Sequence, residues 1–439
     1  MFNELRRRPL FVFFIGLLVG ISFPAVSWLS CVGVGAGWTV RRYWIATVSL
    51  GILVGGLLVG WRTPAPPISA GEVHERVEIR SFPDYQKGKA VYAFRTLGAE
   101  ARTGVLRVDP SVVLSPFAVA DVQGMAAATK SGSLTTDQVR VVSRWAVFDW
   151  LVQLQKRAIA GVNDAFGVED GAWVTALTFN FPSDLSADEK SDLRYNGTFH
   201  MVSASGVHVF VLAAALQFLL VGLGVRRAWQ VGLVTTLLMI YCCLTGFHAP
   251  TVRASLMWLV GSSAYLFRRS SDGLSSLCLA ALVWLFFVPS DIFTAGFQLS
   301  FLVSGFLLMY FDRHRAEPMP KLRSVVMASL VATVAAEPLC AWWFGRIVFV
   351  GVLSNLLIEF PSSAVMVLGY LSLIPFVGRL FALVAYPLIW WIKLVTLYTA
   401  QAPCLLVYRH AVSPWAYLAY YAFWLWYFLG RPVGVKEFE

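Results

Sequence analysis

The sequence predicts a polytopic α-helical membrane protein with a small β domain inserted after its first membrane helices. Of the 439 residues, 58% are hydrophobic and only 14% are charged, whereas soluble proteins carry about 25% charged residues. The apolar runs are long and continuous, which is typical of membrane helices of about 20 residues rather than of an outer-membrane barrel. Residues 62–199 interrupt these runs with polar, turn-rich sequence, which indicates the inserted domain.

The charge distribution separates the polar stretch from the membrane segments. The chain has a formal charge of +10, but residues 62–199 contain 15 Lys and Arg residues against 16 Asp and Glu residues. Basic residues therefore concentrate around the membrane segments, as the positive-inside rule requires without any acidic ligand. Net charge alone is therefore poor support for nucleic-acid binding. No cysteine lies in the polar stretch, so we expect no disulfide framework there.

Residues 1–61 are predicted to form the N-terminal membrane helices. Three arginines at positions 6–8 precede an apolar run, which we interpret as a retained anchor because apolar sequence resumes at once after it. Pro24 divides residues 10–40 into two half-length helices, and we expect these to form a hairpin. Residues 43–61 then cross the membrane outward.

Residues 62–136 are predicted to form a small β-barrel domain. A proline-rich linker opens the stretch, and short strand-like runs follow at 72–80, 89–97, 104–108 and 117–125. Proline, glycine and aspartate turn signals separate these runs, as expected for consecutive strands.

Residues 137–199 are predicted to form interfacial helices and a connector. Apolar residues at three-to-four spacing predict an amphipathic helix over 137–162, with Asp137 as its N-cap and Trp145 and Phe148 at the bilayer interface. A second helix is predicted after Ser186, because Ser186 and Glu189 have the spacing of a capping box.

Residues 200–430 are predicted to form the main membrane domain, and residues 431–439 a cytoplasmic tail. Nine spans are expected, at 201–222, 228–247, 251–267, 274–289, 293–311, 324–345, 350–374, 380–400 and 412–430. Alternate loops hold most of the arginines, Arg379 among them, and the positive-inside rule places these loops in the cytoplasm. The β domain is then extracytoplasmic, and the protein is expected in the cytoplasmic (inner) membrane.

The most informative polar segment lies where the first of these spans begins. It places His200, Ser203, Ser205, Gly206 and His208 at the mouth of an apolar run, where each polar group needs a partner or water. Two interpretations are open: these polar groups line a functional site, or they form local hydrogen bonds. No carboxylate or cysteine completes a zinc site with the two histidines, and the Gly-x-Ser-x-Gly elbow of serine hydrolases is absent around Ser205.

A second segment combines Pro250 with Arg253. Pro250 is expected to break one span and begin the next, leaving unpaired carbonyls and an irregular turn. Arg253 either reaches the membrane interface or faces a wet cavity, and in a cavity it offers a fixed positive charge to a phosphate.

Three further charges lie within apolar runs: Glu337, Glu359 and Lys393. Two interpretations of these charges are equally supported: they form internal ion pairs with one another and with Arg253, or they line a polar pathway. Gln298 and Asn355 are amides in apolar surroundings, for which hydrogen bonding between helices is the preferred interpretation from spacing alone.

These residues together resemble the ComEC family of competence proteins, the inner-membrane channels for single-stranded DNA in natural transformation. Four motifs occur in the family's order: Gly197-x-x-His200 with Ser205-Gly206-x-His208-Val209; Pro250-x-x-Arg253-Ala254; Phe297-Gln298-Leu299-Ser300-Phe301; and Asn355-Leu356-Leu357 followed by Pro361. The resemblance implies that the β domain is an extracytoplasmic OB-like barrel. It also implies a DNA pathway lined by eight residues: His200, Ser203, Ser205, Gly206, His208, Arg253, Gln298 and Asn355.

The resemblance also implies partners. These are single-stranded DNA, a periplasmic DNA receptor, a cytoplasmic ATP-dependent helicase-like motor and the lipid bilayer, while homo-oligomers are left open. The sequence contains no phosphate-binding loop, so ATP-driven pulling requires another protein. We expect a form of the family that lacks the metallo-β-lactamase-like domain of many relatives. We also expect that this protein uses no cofactor and has no enzymatic activity.

Two other functions are compatible with the polar residues. One is an intramembrane serine hydrolase that uses Ser205 with His200 or His208. The other is a secondary transporter of a small anion with Glu337 and Glu359 as proton carriers, which internal inverted repeats would support.

Overall fold

The computed structural model describes residues 71–79, 84–86, 89–97, 102–109, 112, 114–127, 133–202, 205–266, 272–314, 319–401, 406–408 and 414–430. The predictions for residues 1–61, for Ser203 and for the tail at 431–439 lie outside these residues. The chain divides into two compact units. The sheet unit comprises Pro64–Thr251 with Leu357–Gln401, and the helical unit comprises Met1–Thr63, Val252–Leu356 and Ala402–Glu439.

The sheet unit begins with a six-stranded mixed sheet. Its strands are β1 (Gly71–Ile79), β2 (Asp84–Gln86), β3 (Lys89–Thr96), β4 (Thr103–Val108), β5 (Val119–Ala127) and β6 (Ser133–Ser143). The strand order is β1-β5-β6-β4-β3-β2, and β1 also pairs with β3. All pairs are antiparallel except β4 with β6, which is parallel.

Alternation of apolar and polar residues builds the core of the sheet. Along β3, Ala90, Tyr92 and Phe94 are buried while the residues between them point outward, as expected for a strand with one face on a core. Leu106 and Val108 of β4 belong to the same cluster. The Tyr92 hydroxyl lies in this core and accepts a hydrogen bond from the Leu114 amide at 3.1 Å, so its polar atom is satisfied.

The strands of this region were predicted correctly, whereas the start of the helix that follows them was not. The four predicted strands correspond to β1, β3, β4 and β5 and are confirmed. The helix predicted to begin at Asp137 is wrong in its first part, because residues 133–143 form β6 and the helix begins only at Ala146. Val139 and Val141 pack against the sheet core and pair with Val122 and Ala120 of β5. Alternating β-branched residues favour a strand, and this local pattern outweighs the helical spacing that continues after it.

Three helices connect the sheet to the membrane block. They are α1 (Ala146–Phe166), α2 (Val168–Phe179) and α3 (Ala187–Tyr195). The capping box predicted at the start of α3 is confirmed: the Ser186 hydroxyl accepts from the Glu189 amide at 3.2 Å, and the Glu189 carboxylate accepts from the Ser186 amide at 2.8 Å. Most of α2 is buried, and Val174 and Thr178 lie so close to Gly369 that a Cβ there would be 2.6 Å from Val174.

Nine helices of the described residues occupy the nine predicted span positions. They are α4 (Gly206–Gly222), α5 (Arg227–Leu244), α6 (Ala249–Leu266), α7 (Gly273–Phe287), α8 (Ala295–Arg313), α9 (Lys321–Phe344), α10 (Gly351–Leu371), α11 (Gly378–Ala400) and α12 (Pro414–Gly430). By length and composition, α5, α8, α9, α10 and α11 are able to cross a membrane, and α4 and α7 are shorter apolar helices. A short β7 (Arg346–Val348) pairs with β8 (Leu406–Tyr408). The chain is a multi-pass membrane protein.

Candidate functional site

The predicted pathway residues are divided between the two units. The sheet unit holds His200, Ser205, Gly206 and His208, and the helical unit holds Arg253, Gln298 and Asn355.

A buried amide organises the segment that precedes α4. Asn196 is fully buried, and its side-chain oxygen accepts hydrogen bonds from the Thr198 amide at 3.0 Å and the Thr198 hydroxyl at 2.6 Å. Its side-chain nitrogen donates to the Thr399 hydroxyl in α11 at 3.2 Å. Gly197 has a φ of +78°, a conformation that favours glycine. The turn places the His200 Nδ1 3.1 Å from the Gly197 carbonyl.

Ser205 and Gly206 begin α4, and His208 lies in its first turn. The Ser205 hydroxyl accepts from the Val207 amide at 3.2 Å, so Ser205 is the N-cap of the helix. His208 is only 1% exposed, and its Nε2 has no hydrogen-bond partner. Among these described residues, Ser205 forms no hydrogen bond with His200 or His208. The segment therefore holds a buried imidazole with an unused nitrogen rather than an assembled serine nucleophile.

Arg253 connects two of the sequence motifs in the helical unit. Its Nε donates to the Ser300 hydroxyl at 2.9 Å, and one terminal nitrogen lies 3.6 Å from the Met257 sulfur. The guanidinium carbon is 5.9 Å from the centre of the Phe301 ring. The side chain is only 7% exposed, and neither Glu337 nor any other described carboxylate pairs with it. The residue is therefore a buried cation held by neutral partners.

The segment around Ser300 is held in place by its own polar residues. Thr294 caps α8 by accepting from the Phe297 amide at 3.3 Å, and the Phe297 and Phe301 rings stack at 4.3 Å. Gln298 donates to the Ile292 carbonyl at 2.8 Å and accepts from the Trp343 indole of α9 at 2.9 Å. The inter-helix hydrogen bond predicted for Gln298 is confirmed, and its role in this geometry is to position α8.

Asn355 differs from Gln298. Its side-chain oxygen is buried and has no hydrogen-bond partner in the described part of the chain. The inter-helix hydrogen bond preferred for this amide from spacing alone is therefore not observed.

The backbone carbonyls at the turn between α5 and α6 have more hydrogen-bond donors than the sequence predicted. Unpaired carbonyls were expected before Pro250, but each of the last four carbonyls of α5 has a donor. The Tyr241, Cys242 and Cys243 carbonyls accept from amides of the turn, and the Leu244 carbonyl accepts from the Gln155 side chain of α1 at 2.6 Å. Gln155 comes from 89 residues earlier, which is why sequence reasoning missed this role.

The intramembrane charges do not pair with one another as one interpretation proposed. In the helical unit, Glu337 accepts from the Val348 amide at 3.0 Å and does not pair with Arg253. In the sheet unit, Lys393 pairs with Asp170 at 2.7 Å and with Glu169 at 3.1 Å, not with Glu359. One Glu359 oxygen is buried without a partner. The ion-pair hypothesis is wrong for these described residues, and the acidic partners of Lys393 were missed because they lie in the polar connector.

Comparison with known proteins agrees with the motifs. A family model described as competence protein matches residues 177–432, which is more than half of the chain. The "ComE operon protein 3" of Bacillus subtilis (strain 168) is 30% identical over 254 residues, which cover 56% of this chain and 32% of that protein. The chain thus matches about a third of the length of this relative. No solved structure matched the chain. On the extent of the family match and the order of its motifs, the chain belongs to the competence protein (ComEC) family.

Proposed function

We propose that this protein conducts single-stranded DNA across the cytoplasmic membrane during DNA uptake. Membership of the competence family and the set of apolar helices support this role. The observation that carries the proposal is the state of Arg253, a buried cation without a carboxylate partner.

An arginine in this state is suited to a phosphodiester. A guanidinium has five N–H groups, and in Arg253 two of them contact the Ser300 hydroxyl and the Met257 sulfur. A buried charge without a counter-ion is costly in an apolar helix bundle. A passing phosphate supplies both the opposite charge and acceptors for the free N–H groups, in the geometry that arginine favours. Ser300 orients the guanidinium of Arg253, and the remaining N–H groups of Arg253 stay available to bind a phosphate.

The polar residues at the start of α4 are assigned a supporting role. His200, Ser205 and Gly206 shape the beginning of the helix, and His208 carries the unused ring nitrogen. Polar groups of this kind replace part of the hydration of a phosphate chain. Ser203 is assigned to the same supporting role, and Asn355, in the helical unit, is assigned to the pathway with Arg253.

We further propose that the six-stranded sheet is an OB-like barrel on the extracytoplasmic side. In support, each of β1, β4, β5 and β6 has two partner strands, β3 has three, and the one parallel pair joins β4 to β6. Lys89, Arg95 and Arg107 lie on the outward face of β3 and β4, with Glu78 of β1 beside Arg95. The described outward positions of β3 and β4 hold no aromatic residue, so this face fits phosphates better than stacked bases. Binding of this kind is weak, independent of sequence and sensitive to salt.

The partners follow from this role. A periplasmic DNA receptor delivers the strand to the sheet domain. A cytoplasmic helicase-like ATPase supplies the energy for transport, because the sequence contains no phosphate-binding loop for ATP. The protein acts as a conduit without catalysis. The hydrolase alternative has less support, because the Ser205 hydroxyl bonds to an amide of its own helix rather than to a histidine.

The test is uptake of labelled DNA in the source organism or in a competent host that relies on this gene. Deletion is expected to leave bound DNA outside the cytoplasm. Arg253→Ala should lower uptake about 10- to 100-fold, the factor for loss of charge-assisted hydrogen bonds worth about 1.5–3 kcal/mol. His208→Ala should also lower uptake. Arg323→Ala is the matched control, because Arg323 is an exposed arginine at the start of α9.

Two outcomes would overturn the proposal. One is unchanged uptake in a deletion strain that has no redundant homologue. The other is normal uptake by an expressed Arg253→Ala variant. In either case Ser205→Ala would test the hydrolase alternative, through loss of turnover of an amide or ester substrate.

A further inference from the structure

We infer that α11 does not cross the membrane but lies along it, with both ends on the side where α4 begins. Its exposed apolar face then fits the lipid of that leaflet. This differs from the span expected at 380–400, although α11 is long and apolar enough to cross. The inference uses only contacts within the sheet unit, and it does not depend on the proposed function.

Helices α4 and α5 provide the reference for direction. They are consecutive apolar helices joined by residues 223–226, so the start of α4 lies at the same end of the pair as the finish of α5. We call this end the sheet-side end, because the chain reaches it from the sheet. The opposite end holds the 223–226 loop.

The C-terminal end of α11 lies at the sheet-side end. Thr399, the penultimate residue of α11, accepts a hydrogen bond from the Asn196 side chain at 3.2 Å. Asn196 belongs to the turn before α4. This contact places the end of α11 beside the segment that leads into the membrane block.

The N-terminal end of α11 lies at the sheet-side end as well. It follows the loop at 372–377, and Tyr370 comes just before that loop. The Tyr370 ring is 6.3 Å from the ring of Tyr241, which is three residues before the end of α5. Arg227, at the other end of α5, is about 21 Å from Tyr241 along the helix axis. The loop therefore lies near the end of α5 and not near its start.

A second chain of contacts, through α1, leads to the same position. Gln155 of α1 bonds to the Leu244 carbonyl, the last of α5, at 2.6 Å. Gly161 is six residues further along α1, about 9 Å away. A Cβ at Gly161 would be 3.1 Å from the Leu373 side chain in the 372–377 loop. Two independent routes thus connect this loop to the sheet-side end of α5.

These contacts are incompatible with a crossing helix. A helix of 23 residues is about 34 Å long, and a crossing places its ends on opposite sides of a hydrocarbon core about 30 Å thick. Both ends of α11 are instead at one end of the α4–α5 pair. The axis of α11 therefore runs across that pair, parallel to the membrane surface.

The composition of α11 fits an interfacial position. Its buried face packs against the connector, and Lys393 pairs with Asp170 and Glu169 there. Its other face is apolar and aromatic, with these large side chains exposed: Leu380, Leu383, Val384, Trp390, Leu397 and Tyr398. Tryptophan and tyrosine are enriched at membrane interfaces, and a helix with one apolar face lies in that plane. The partner assigned to this face is the lipid of the leaflet on the sheet-domain side.

Single-cysteine labelling of the full chain in its membrane tests the inference. The native cysteines are replaced, and one cysteine is introduced at Phe376, a fully exposed residue of the 372–377 loop. Gln138→Cys, exposed on β6, reports the side of the sheet domain, and Leu223→Cys, exposed in the α4–α5 loop, reports the opposite side. Phe376→Cys is expected to react with a membrane-impermeant maleimide from the same side as Gln138→Cys. Labelling from the side of Leu223→Cys would overturn the inference.

A depth measurement gives a second readout that does not involve DNA. Spin labels at Leu380, Trp390 and Tyr398, one per protein in lipid nanodiscs, should all report one shallow depth from collisions with oxygen and a nickel chelate. A crossing helix would instead place Leu380 and Tyr398 near opposite surfaces and Trp390 near the bilayer centre. A depth profile that passes through the centre would refute the interfacial position even if the cysteine labelling were ambiguous.

Discussion

The Trp391 indole nitrogen donates a hydrogen bond to the Leu357 carbonyl at 3.1 Å. Leu357 is four residues before Pro361, which lies inside α10. Because proline has no N–H, the Leu357 carbonyl is the one that α10 leaves without its helical donor. A side chain of α11 therefore replaces the missing backbone bond, which explains how α10 continues through a proline in an apolar environment.

Trp391→Phe should lower the stability of the protein by about 1 kcal/mol, because it leaves this carbonyl without a donor. Pro361→Ala restores the helical N–H, so the loss from Trp391→Phe should shrink in the Pro361→Ala background. Trp390→Phe is the control, since the Trp390 side chain is 61% exposed. Thermal unfolding in detergent measures all four variants, and equal losses from Trp391→Phe in both backgrounds would contradict the account.

Another proline, this one in the helical unit, also has its missing helical hydrogen bond replaced by a side chain of another helix. Pro338 lies inside α9, and the carbonyl four residues before it belongs to Val334. The Tyr420 hydroxyl of α12 donates to that carbonyl at 2.9 Å. Tyr420→Phe should therefore destabilise the protein by about 1 kcal/mol. Tyr417, on the same helix, has a buried hydroxyl without a partner, so Tyr417→Phe should be neutral or stabilising. A reversed order of the two unfolding temperatures would show that these hydroxyls do not act as described.

These pairs show where prediction from sequence succeeds and where it stops. The positions of Pro338 and Pro361 identify the carbonyls that lose a donor, because the four-residue spacing is a property of the helix. The side chains that replace the donor, Tyr420 and Trp391, come from other helices, and only tertiary packing selects them. The same distinction explains why the positions of the nine helices α4–α12 and the capping box at Ser186 were predicted correctly.

The errors have the same physical origin. One of the two interpretations of Lys393 paired it within the membrane block, but its partners Glu169 and Asp170 lie in a helix more than 200 residues earlier. The boundary of β6 was missed because a strand gains its stability from neighbouring strands, which a helical spacing rule ignores. For the candidate site, the motifs identified Arg253 and Ser300, whereas the bond between them required the structure.

Gln155→Leu should weaken the contact between α1 and the end of α5. The substitution keeps the side-chain volume but leaves the Leu244 carbonyl without a donor, a loss of about 1–3 kcal/mol for a buried group. Gln153→Leu is the matched control, because Gln153 is exposed on the same helix. Limited proteolysis and thermal unfolding should both report the difference. Equal unfolding temperatures for the two variants would show that this hydrogen bond does not stabilise the turn at the end of α5.

The contribution of Glu189 to stability should depend on pH. Partial burial raises the pKa of the Glu189 carboxyl, but hydrogen bonds from Ser186 and from the Trp173 indole outweigh it, so the pKa lies below its usual value. The folded state therefore favours the ionised form more than the unfolded state does, where the pKa is about 4.3. The stabilisation is complete above the unfolded pKa and is lost as the pH falls through the folded pKa. Glu189→Gln should lower the unfolding temperature near pH 7, and the difference from wild type should shrink below about pH 4.

Asp192, on the same helix, provides a control of opposite sign. Partial burial, Asp188 and Glu189 raise the pKa of the Asp192 carboxyl. Its ionised form is therefore disfavoured in the folded state, and the cost is greatest above the folded pKa. Asp192→Asn should raise the unfolding temperature relative to wild type near pH 7 and lose this advantage in acid. If both variants shifted the unfolding temperature in the same direction at pH 7, a general effect of charge removal on α3 would explain the data better than the individual environments of the two carboxylates.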